Sequence, residues 1–190
     1  MPGFVALLSF LVAALACTNS FALATSQQHV LTHPSCEASG GAKLALDCTF
    51  PVKSANRDEN GPQIALKHLM IKFRPDEESD MSVELKFENV SKTLLDERRT
   101  VYIELDDANR MNYIRRPLPS VDLREVKPGT SKSFHQTLLV PALRPNTYYV
   151  RLWIPSPDPA MKFDSRHNFL LAGTDVEAGT NQIAVVTVTQ

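Results

Sequence analysis

Residue types that can act in catalysis or bind metals occur in this chain, but not in the patterns that these functions require. A serine hydrolase needs a Gly-x-Ser-x-Gly elbow, and that sequence does not occur. A zinc site needs four ligands, and Cys36, Cys48 and the distant His33 provide three. The acidic run Pro75–Asp80 lacks the alternating oxygens and the glycine of a calcium-binding EF-hand loop. We therefore predict no catalytic residues, no metal and no cofactor.

Carboxylate pairs, which glycosidases place on opposite sides of the bond that they cleave, are abundant in the sequence. Asp106 and Asp107 are adjacent, and Asp122 follows them. These acids lie where turns are expected, so we expect them to be solvated loop charges. The sequence accordingly predicts a protein that is not an enzyme, and an enzyme acting alone ranks behind the two binding functions considered below.

A possible recognition surface comes from the alternation of one predicted strand. If Tyr148 and the residues two apart from it face the core, then Tyr149, Arg151 and Trp153 face away from it. Aromatic faces stack on sugar rings, and aromatics with Arg are enriched in protein interfaces. Alternatively, the polar N-terminal part of the chain covers this stripe and buries Trp153. Because aromatic residues are few, we expect the Trp153 ring to be buried or half-buried.

The segment Tyr113–Pro117 is a second candidate border for such a surface. Its terminal proline lacks a backbone N–H, which favours a short strand at the edge of a sheet. We therefore predict an edge strand here rather than a part of the recognition surface.

Cysteine usage and the start of the chain predict a secreted protein. Phe4–Ala16 is an apolar run of thirteen residues, shorter than the roughly 20 that cross a bilayer. Ala22 and Ala24 form the A-x-A pattern of a signal-peptidase site, which predicts cleavage before Thr25. We expect an extracellular product with no membrane association after cleavage.

The two cysteines beyond the cleavage site, Cys36 and Cys48, have a spacing that permits a disulfide-closed hairpin in an oxidising compartment. Two unpaired buried thiols are the alternative. Asn89-Val90-Ser91 is a glycosylation sequon, and its use requires that Asn89 faces solvent.

Composition and turn signals favour an all-β fold. The 20 basic and 21 acidic residues nearly cancel, which disfavours binding to nucleic acid. Short alternating segments, separated by Pro and Gly turns, predict an antiparallel β-sandwich of the immunoglobulin/fibronectin-like type with seven or eight strands. The apolar positions of these segments are Leu69, Ile71 and Phe73; Val83, Leu85 and Phe87; Val101, Ile103 and Leu105; Phe134, Leu138 and Val140; Tyr148, Val150, Leu152 and Ile154; Phe169 to Ala172; and Ile183 to Val188.

We predict three parts of the chain. Residues 1–24 form the signal peptide, residues 25–63 a polar, loop-rich lead-in with a disulfide hairpin, and residues 64–190 the β-sandwich.

The stretch Leu143–Pro159, with its Tyr-x-x-x-Leu-Trp-x-Pro pattern and a later Asp-Pro, resembles the domain-of-unknown-function family 4832. Val83–Val90, which closes on Asn-Val, matches another strand of that family, so the resemblance covers roughly residues 64–190. Gly173 departs from the family, which usually has Asn there.

This family module usually lies behind a barrel domain that looks like a glycoside hydrolase. The resemblance therefore implies a C-terminal β-sandwich accessory module without its enzyme. Two functions follow as hypotheses: a module that binds carbohydrate such as a polysaccharide, with Tyr149, Arg151 and Trp153 as ligand-binding residues, and a protein-interaction module that docks a separate partner chain.

Overall fold

The computed structural model describes residues 35–39, 43–51, 61–107 and 114–188. The predicted signal peptide and its cleavage site lie outside these ranges. Within them, no helix is long and apolar enough to cross a membrane. The described chain forms ten strands and two 3-10 helices: β1 Ser35–Ser39, β2 Leu44–Thr49, β3 Ile64–Phe73, β4 Ser79–Asn89, β5 Tyr102–Asp107, β6 Ile114–Pro117, η1 Leu123–Glu125, β7 Ser131–Val140, β8 Asn146–Trp153, η2 Ser165–His167, β9 Asp175–Glu177 and β10 Thr180–Val188.

The strands form two antiparallel sheets of five strands each. The first sheet has the order β1-β2-β3-β4-β7, and the second has the order β6-β5-β8-β10-β9. The chain passes from the first sheet to the second after β4 and again after β7, so strands that are distant in sequence become neighbours. The predicted all-β sandwich of the immunoglobulin/fibronectin-like type is confirmed.

Alternating apolar residues build the core between the sheets. In β4, Met81, Val83, Leu85 and Phe87 are buried, while the residues between them are half-buried or exposed. The inward residues of β8 do the same from the opposite sheet, with Tyr148, Val150 and Leu152 fully buried. Six predicted strands are confirmed as β3, β4, β5, β7, β8 and β10.

The prediction of a strand near Phe169 to Ala172 is wrong. Ala172 makes only an isolated bridge to Ala65. The buried Asn181 side chain satisfies this segment instead, because its Oδ1 accepts from the Leu171 N–H at 2.7 Å and its Nδ2 donates to the Phe169 carbonyl at 3.3 Å. The Phe169 N–H donates to the Ile154 carbonyl and the Ala172 N–H to the Ile64 carbonyl, both at 2.8 Å. Bonds to one side chain and to two separate stretches of backbone thus replace the ladder that a strand would need.

Ten strands replace the predicted seven or eight, because the edges of both sheets carry short strands. β1 and β2 form a hairpin that extends the first sheet through β3, with Cys36 directly opposite Cys48. Leu46, Cys48 and Phe50 enter the core. At the other sheet, β6 is the predicted Pro-terminated edge strand and β9 is the opposite edge.

The start of β8 is fastened to the preceding loop by a tyrosine corner. Tyr148 is buried, and its hydroxyl donates a hydrogen bond of 2.8 Å to the carbonyl of Arg144. Burial, together with the negative charge of Asp107, raises the pKa of the Tyr148 hydroxyl. The hydroxyl therefore keeps its proton, and the hydrogen bond that it donates holds β8 in place as the strand enters the second sheet.

The possibility of glycosylation at Asn89 is excluded for the folded chain. Asn89 is completely buried, and its Nδ2 donates to the carbonyl of Thr93 at 2.9 Å and to that of Val126 at 3.2 Å. A glycan on this nitrogen would have no space and would break both hydrogen bonds. The Asn-Val-Ser sequence ends a strand and caps a turn, as the bond from the Ser91 hydroxyl to Asn89 Oδ1 shows.

Candidate functional site

The outer face of the second sheet carries a row of polar residues that crosses all five strands. In register from β6 to β9 the row contains Arg115, Glu104, Arg151, Gln182 and Asp175. We call these five residues the polar row. Opposite charges face each other between β6, β5 and β8, which is the arrangement that stabilises cross-strand pairs.

The alternation predicted for β8 is present in the structure. Tyr148, Val150 and Leu152 belong to the core, whereas Tyr149 and Arg151 lie on the outer face and are half-buried. The Arg151 guanidinium lies 5.1 Å from the centre of the Tyr149 ring. Tyr149 and Arg151 are therefore on one face, where Arg151 belongs to the polar row and Tyr149 lies beside it.

Trp153 also lies outside the core, yet only 4% of it is exposed. Its ring centre is 5.0 Å from that of Tyr102, its register partner on β5. The Arg115 guanidinium lies 3.9 Å from the centre of the Trp153 ring, and Phe163 stacks on it at 5.9 Å with an interplanar angle of 19°. The expected burial is thus present, and the described contacts that cover the ring come from β5, β6 and the loop after β8. Much of the polar N-terminal part lies outside the described ranges, so a cover from that part stays a prediction.

Two carboxylates of β5 form ion pairs with arginines on this face. Arg115 Nε donates to Glu104 Oε1 at 2.5 Å, and Arg151 donates to Asp106 at 3.0 Å and to Glu177 at 2.8 Å. Glu104 and Asp106 are only 2% and 4% exposed. Removing one partner of such a buried pair costs about 3 to 5 kcal/mol, because a charge remains without water or counterion.

The prediction that Asp106 and Asp107 are solvated loop charges is wrong. Both belong to β5 and are buried, and Asp107 accepts a hydrogen bond of 3.0 Å from the Asn146 side chain. No residue of β5 is fully exposed to solvent, because the core covers one side of the strand and the arginines of β6 and β8 cover the other. Acidic residues on a strand look like a turn when the partners that neutralise them are distant in sequence.

These groups line a cleft of about 450 Å³ on the outer face. Phe163 and Trp153 form one wall, and Glu104, Asp106, Arg115, Arg151 and Glu177 supply charged groups. Ser165, Asn168 and Thr180 add uncharged hydrogen-bonding groups. The cleft thus combines aromatic surface with closely spaced donors and acceptors.

A second cleft, of about 650 Å³, lies beside the segment Phe169–Thr174 and is larger. It contains Leu95, Glu97 and Arg99, and none of the three predicted ligand-binding residues. The smaller cleft contains two of these three, Arg151 and Trp153, but not Tyr149. Size alone favours it, but the smaller cleft gathers the buried ion pairs and the aromatic wall. We therefore take the smaller cleft as the candidate site and call it the outer cleft.

The loop that carries Phe163 is anchored by the next helix. Asp164 caps η2 by accepting hydrogen bonds from the backbone N–H and the guanidinium of Arg166, at 3.0 Å and 2.7 Å. The bond from the Arg166 side chain is the main reason why the pKa of Asp164 is lowered to about 2. Phe163 itself is 80% exposed although it stacks on Trp153.

Sequence reasoning gave no role in this site to Glu104 or Phe163, and it considered Arg115 only within the candidate border Tyr113–Pro117. Alternation would have placed Glu104 and Asp106 on one face of β5 once the strand was extended past Leu105. Phe163 lies in a loop and offers no periodic signal. Within that candidate border, Arg115 lines the site.

No group of His, Cys, Asp and Glu in the described ranges is arranged to hold a metal ion. His29 and His33, four residues apart in the sequence, lie outside those ranges. Comparison of the chain with protein-family models and with curated proteins finds no match. The resemblance to the family of unknown function therefore stays a prediction.

Proposed function

We propose that this protein is a secreted, non-catalytic β-sandwich accessory module whose outer cleft binds carbohydrate. The observation that carries this proposal is the pairing of Phe163 and Trp153 beside the polar row. Phe163 presents an exposed ring that stacks on the buried ring of Trp153.

The chemistry of the cleft suits a neutral sugar. A pyranose has apolar faces that stack on an aromatic ring and hydroxyl groups that both donate and accept hydrogen bonds. The exposed carboxylate of Glu177 offers acceptors, and the side chains of Ser165, Asn168 and Thr180 offer both donors and acceptors. The ion pair of Glu177 with Arg151 fixes the positions of both side chains before binding, so less rotamer freedom is lost when a ligand arrives.

The ion pairs of Glu104 and Asp106 argue against glycoside hydrolysis. A catalytic pair needs one carboxyl that gives a proton and one carboxylate that attacks or activates water. Glu104 and Asp106 each accept a hydrogen bond from a guanidinium group instead. The proposal therefore assigns them to holding the binding face together.

A comparison of two exposed apolar residues tests the proposal. Phe163→Ala removes the stacking ring, and we expect at least about tenfold weaker binding to the polysaccharides or arrayed glycans that the unaltered protein binds. Leu139→Ala is the matched control, because Leu139 is 57% exposed on β7 of the other sheet. Equal loss of binding in both variants, or no glycan binding by the unaltered protein, contradicts the proposal.

The alternative is a protein-interaction module that docks a separate partner chain. Exposed Met161 and Phe163 on one loop favour it, because aromatics and Met are enriched in interface centres. Photo-cross-linking from position 163 in the secreting culture separates the two functions. A single cross-linked protein, with no glycan bound, would support the partner chain.

Secretion and the disulfide are part of the same proposal. Residues directly opposite in an antiparallel pair have Cα atoms about 4.5 to 5.5 Å apart, which lies within the range that a disulfide spans. Cys36 and Cys48 are such a pair, and Cys48 is completely buried. We infer that these cysteines form a disulfide in an extracellular compartment.

A further inference from the structure

Three aromatic rings lie within 6 Å of one ammonium group, and two of these rings, Trp153 and Phe163, also line the outer cleft. Lys162 Nζ lies 5.6 Å from the ring centre of Tyr102, 5.9 Å from that of Trp153 and 5.8 Å from that of Phe163. All three distances are within the roughly 6 Å at which a cation is attracted to a ring face. We call the three rings the aromatic cage.

The rings are the partners that this ammonium has. Among the described residues, no hydrogen bond or ion pair engages Lys162. The neighbouring cation, Arg115, is neutralised separately by its bond to Glu104. The position of the Lys162 ammonium is therefore set by ring faces rather than by a carboxylate.

We propose that the aromatic cage is a binding site for a quaternary ammonium group, and that Lys162 occupies it in the free protein. A primary ammonium gives up hydrogen bonds to water when rings surround it, because ring faces replace them poorly. A quaternary ammonium has no N–H to leave without a partner, so the same rings suit it better. This inference does not rest on carbohydrate binding, although Trp153 and Phe163 border both sites.

The geometry allows exchange of the occupant. Phe163 is 80% exposed and Lys162 is half-buried, so one side of the cage opens to solvent. Lys162 reaches the cage on a flexible four-carbon stem that can rotate away without backbone movement. Tyr102 and Trp153 stay in place, because they are register partners on paired strands.

Fluorescence tests the proposal directly, because Trp153 is the chain's single tryptophan and forms one wall of the cage. The probe is tetramethylammonium chloride, compared with sodium chloride at equal ionic strength. We expect a saturable change, with Kd at least about fivefold lower in Lys162→Gln than in the unaltered protein, because the variant removes the competing cation.

Two further variants control for the site. Adding Phe163→Leu to Lys162→Gln should weaken binding of tetramethylammonium, whereas adding Tyr149→Leu should leave it unchanged, because Tyr149 lies by Arg151 and outside the cage. Circular dichroism confirms that each variant is folded. Choline and free trimethyllysine, tested in the same way, distinguish two sources of a quaternary ammonium group: a choline-containing ligand and a methylated lysine side chain.

The absence of a saturable response to tetramethylammonium in Lys162→Gln would overturn the proposal. Equal affinity in Lys162→Gln and the unaltered protein would overturn the role of Lys162 as the occupant. Equal weakening by the Phe163 and Tyr149 changes would place the binding outside the cage.

Discussion

At the scale of single residues, Trp153 shows how a side chain can be buried outside the core. It lies on the outer face of the second sheet, yet Tyr102, Arg115 and Phe163 enclose it. Its burial is a property of the site, because the same contacts that hide the ring build the cleft and the aromatic cage. Stability and binding therefore depend on the same residue.

We expect Trp153→Ala to lower the free energy of unfolding by about 3 to 5 kcal/mol through the cavity that it leaves. Phe163→Ala, at an exposed position, should change it by about 0.5 kcal/mol or less. Denaturant unfolding measures both. In the unaltered protein we also expect blue-shifted Trp153 emission that iodide does not quench, and emission like that of free tryptophan would contradict the described burial.

Asp164 predicts an acid sensitivity of the loop that carries Phe163. Its folded pKa is lowered to about 2 from 3.8, so its contribution to stability is complete above about 3.8 and is lost as the pH falls toward 2. An NMR titration of the Asp164 carboxyl in the unaltered protein should show the lowered midpoint. Arg166→Ala should move the midpoint up toward 3.8, because it removes the main hydrogen bond, and an unchanged midpoint would contradict this cause.

At the scale of elements, the turn between β9 and β10 positions one wall of the outer cleft. Ala178 and Gly179 both have positive φ angles, 49° and 76°, as in the two-residue turns that match the twist of a hairpin. The carbonyl of Gly179 accepts a hydrogen bond of 2.9 Å from Asn168, which ties the turn to the chain just after η2. The turn and η2 therefore approach each other closely.

We expect Gly179→Ala to be much more destabilising than Gly129→Ala. A Cβ at position 179 would lie 2.4 Å from Cβ of Ser165, whereas a Cβ at position 129 would meet nothing within 4 Å. Both glycines have positive φ, so each change costs about 1 to 2 kcal/mol in backbone strain, and only the first adds a steric clash. Thermal unfolding of the two variants tests this, and equal melting temperatures would contradict the close approach of Ser165.

At the scale of the whole molecule, the hairpin of β1 and β2 joins the N-terminal part to the first sheet. Its register places Cys36 opposite Cys48, and Leu46 and Phe50 extend the core. A disulfide here would link the edge strand β1, which pairs with β2 alone, covalently to the rest of the first sheet. The proposed disulfide should therefore affect the free energy of unfolding of the whole sandwich.

Alkylation of the secreted protein in denaturant without reductant should add no label at Cys36 or Cys48, and reduction before alkylation should add two, as measured by intact mass; the denaturant is needed because Cys48 is completely buried in the folded chain. Reduction should lower the free energy of unfolding by about 3 kcal/mol, because closing a loop of this size restricts the unfolded chain. Two labels without reductant would refute the bridge.

The sequence alone determined which residues of each strand share a face. Alternation placed Tyr148, Val150 and Leu152 inward and Tyr149, Arg151 and Trp153 outward, because successive side chains of a strand point to opposite sides whatever the neighbours are. It also predicted six strands and the cysteine hairpin, since these depend on local pattern and turn chemistry. The same local reasoning missed β9 and misassigned Phe169 to Ala172, whose backbone groups bond to the Asn181 side chain and to the carbonyls of Ile154 and Ile64.

Only the tertiary structure decided which faces meet. Glu104 acquires Arg115 and Arg151 as partners, and Trp153 acquires Tyr102, because β5 is inserted between β6 and β8 in the second sheet. Those pairings depend on register and on crossovers between the sheets, which carry no signal in a local window. For that reason Asp106 and Asp107 looked like loop charges and are buried in a strand, and Asn89 looked like a glycosylation site and is completely enclosed.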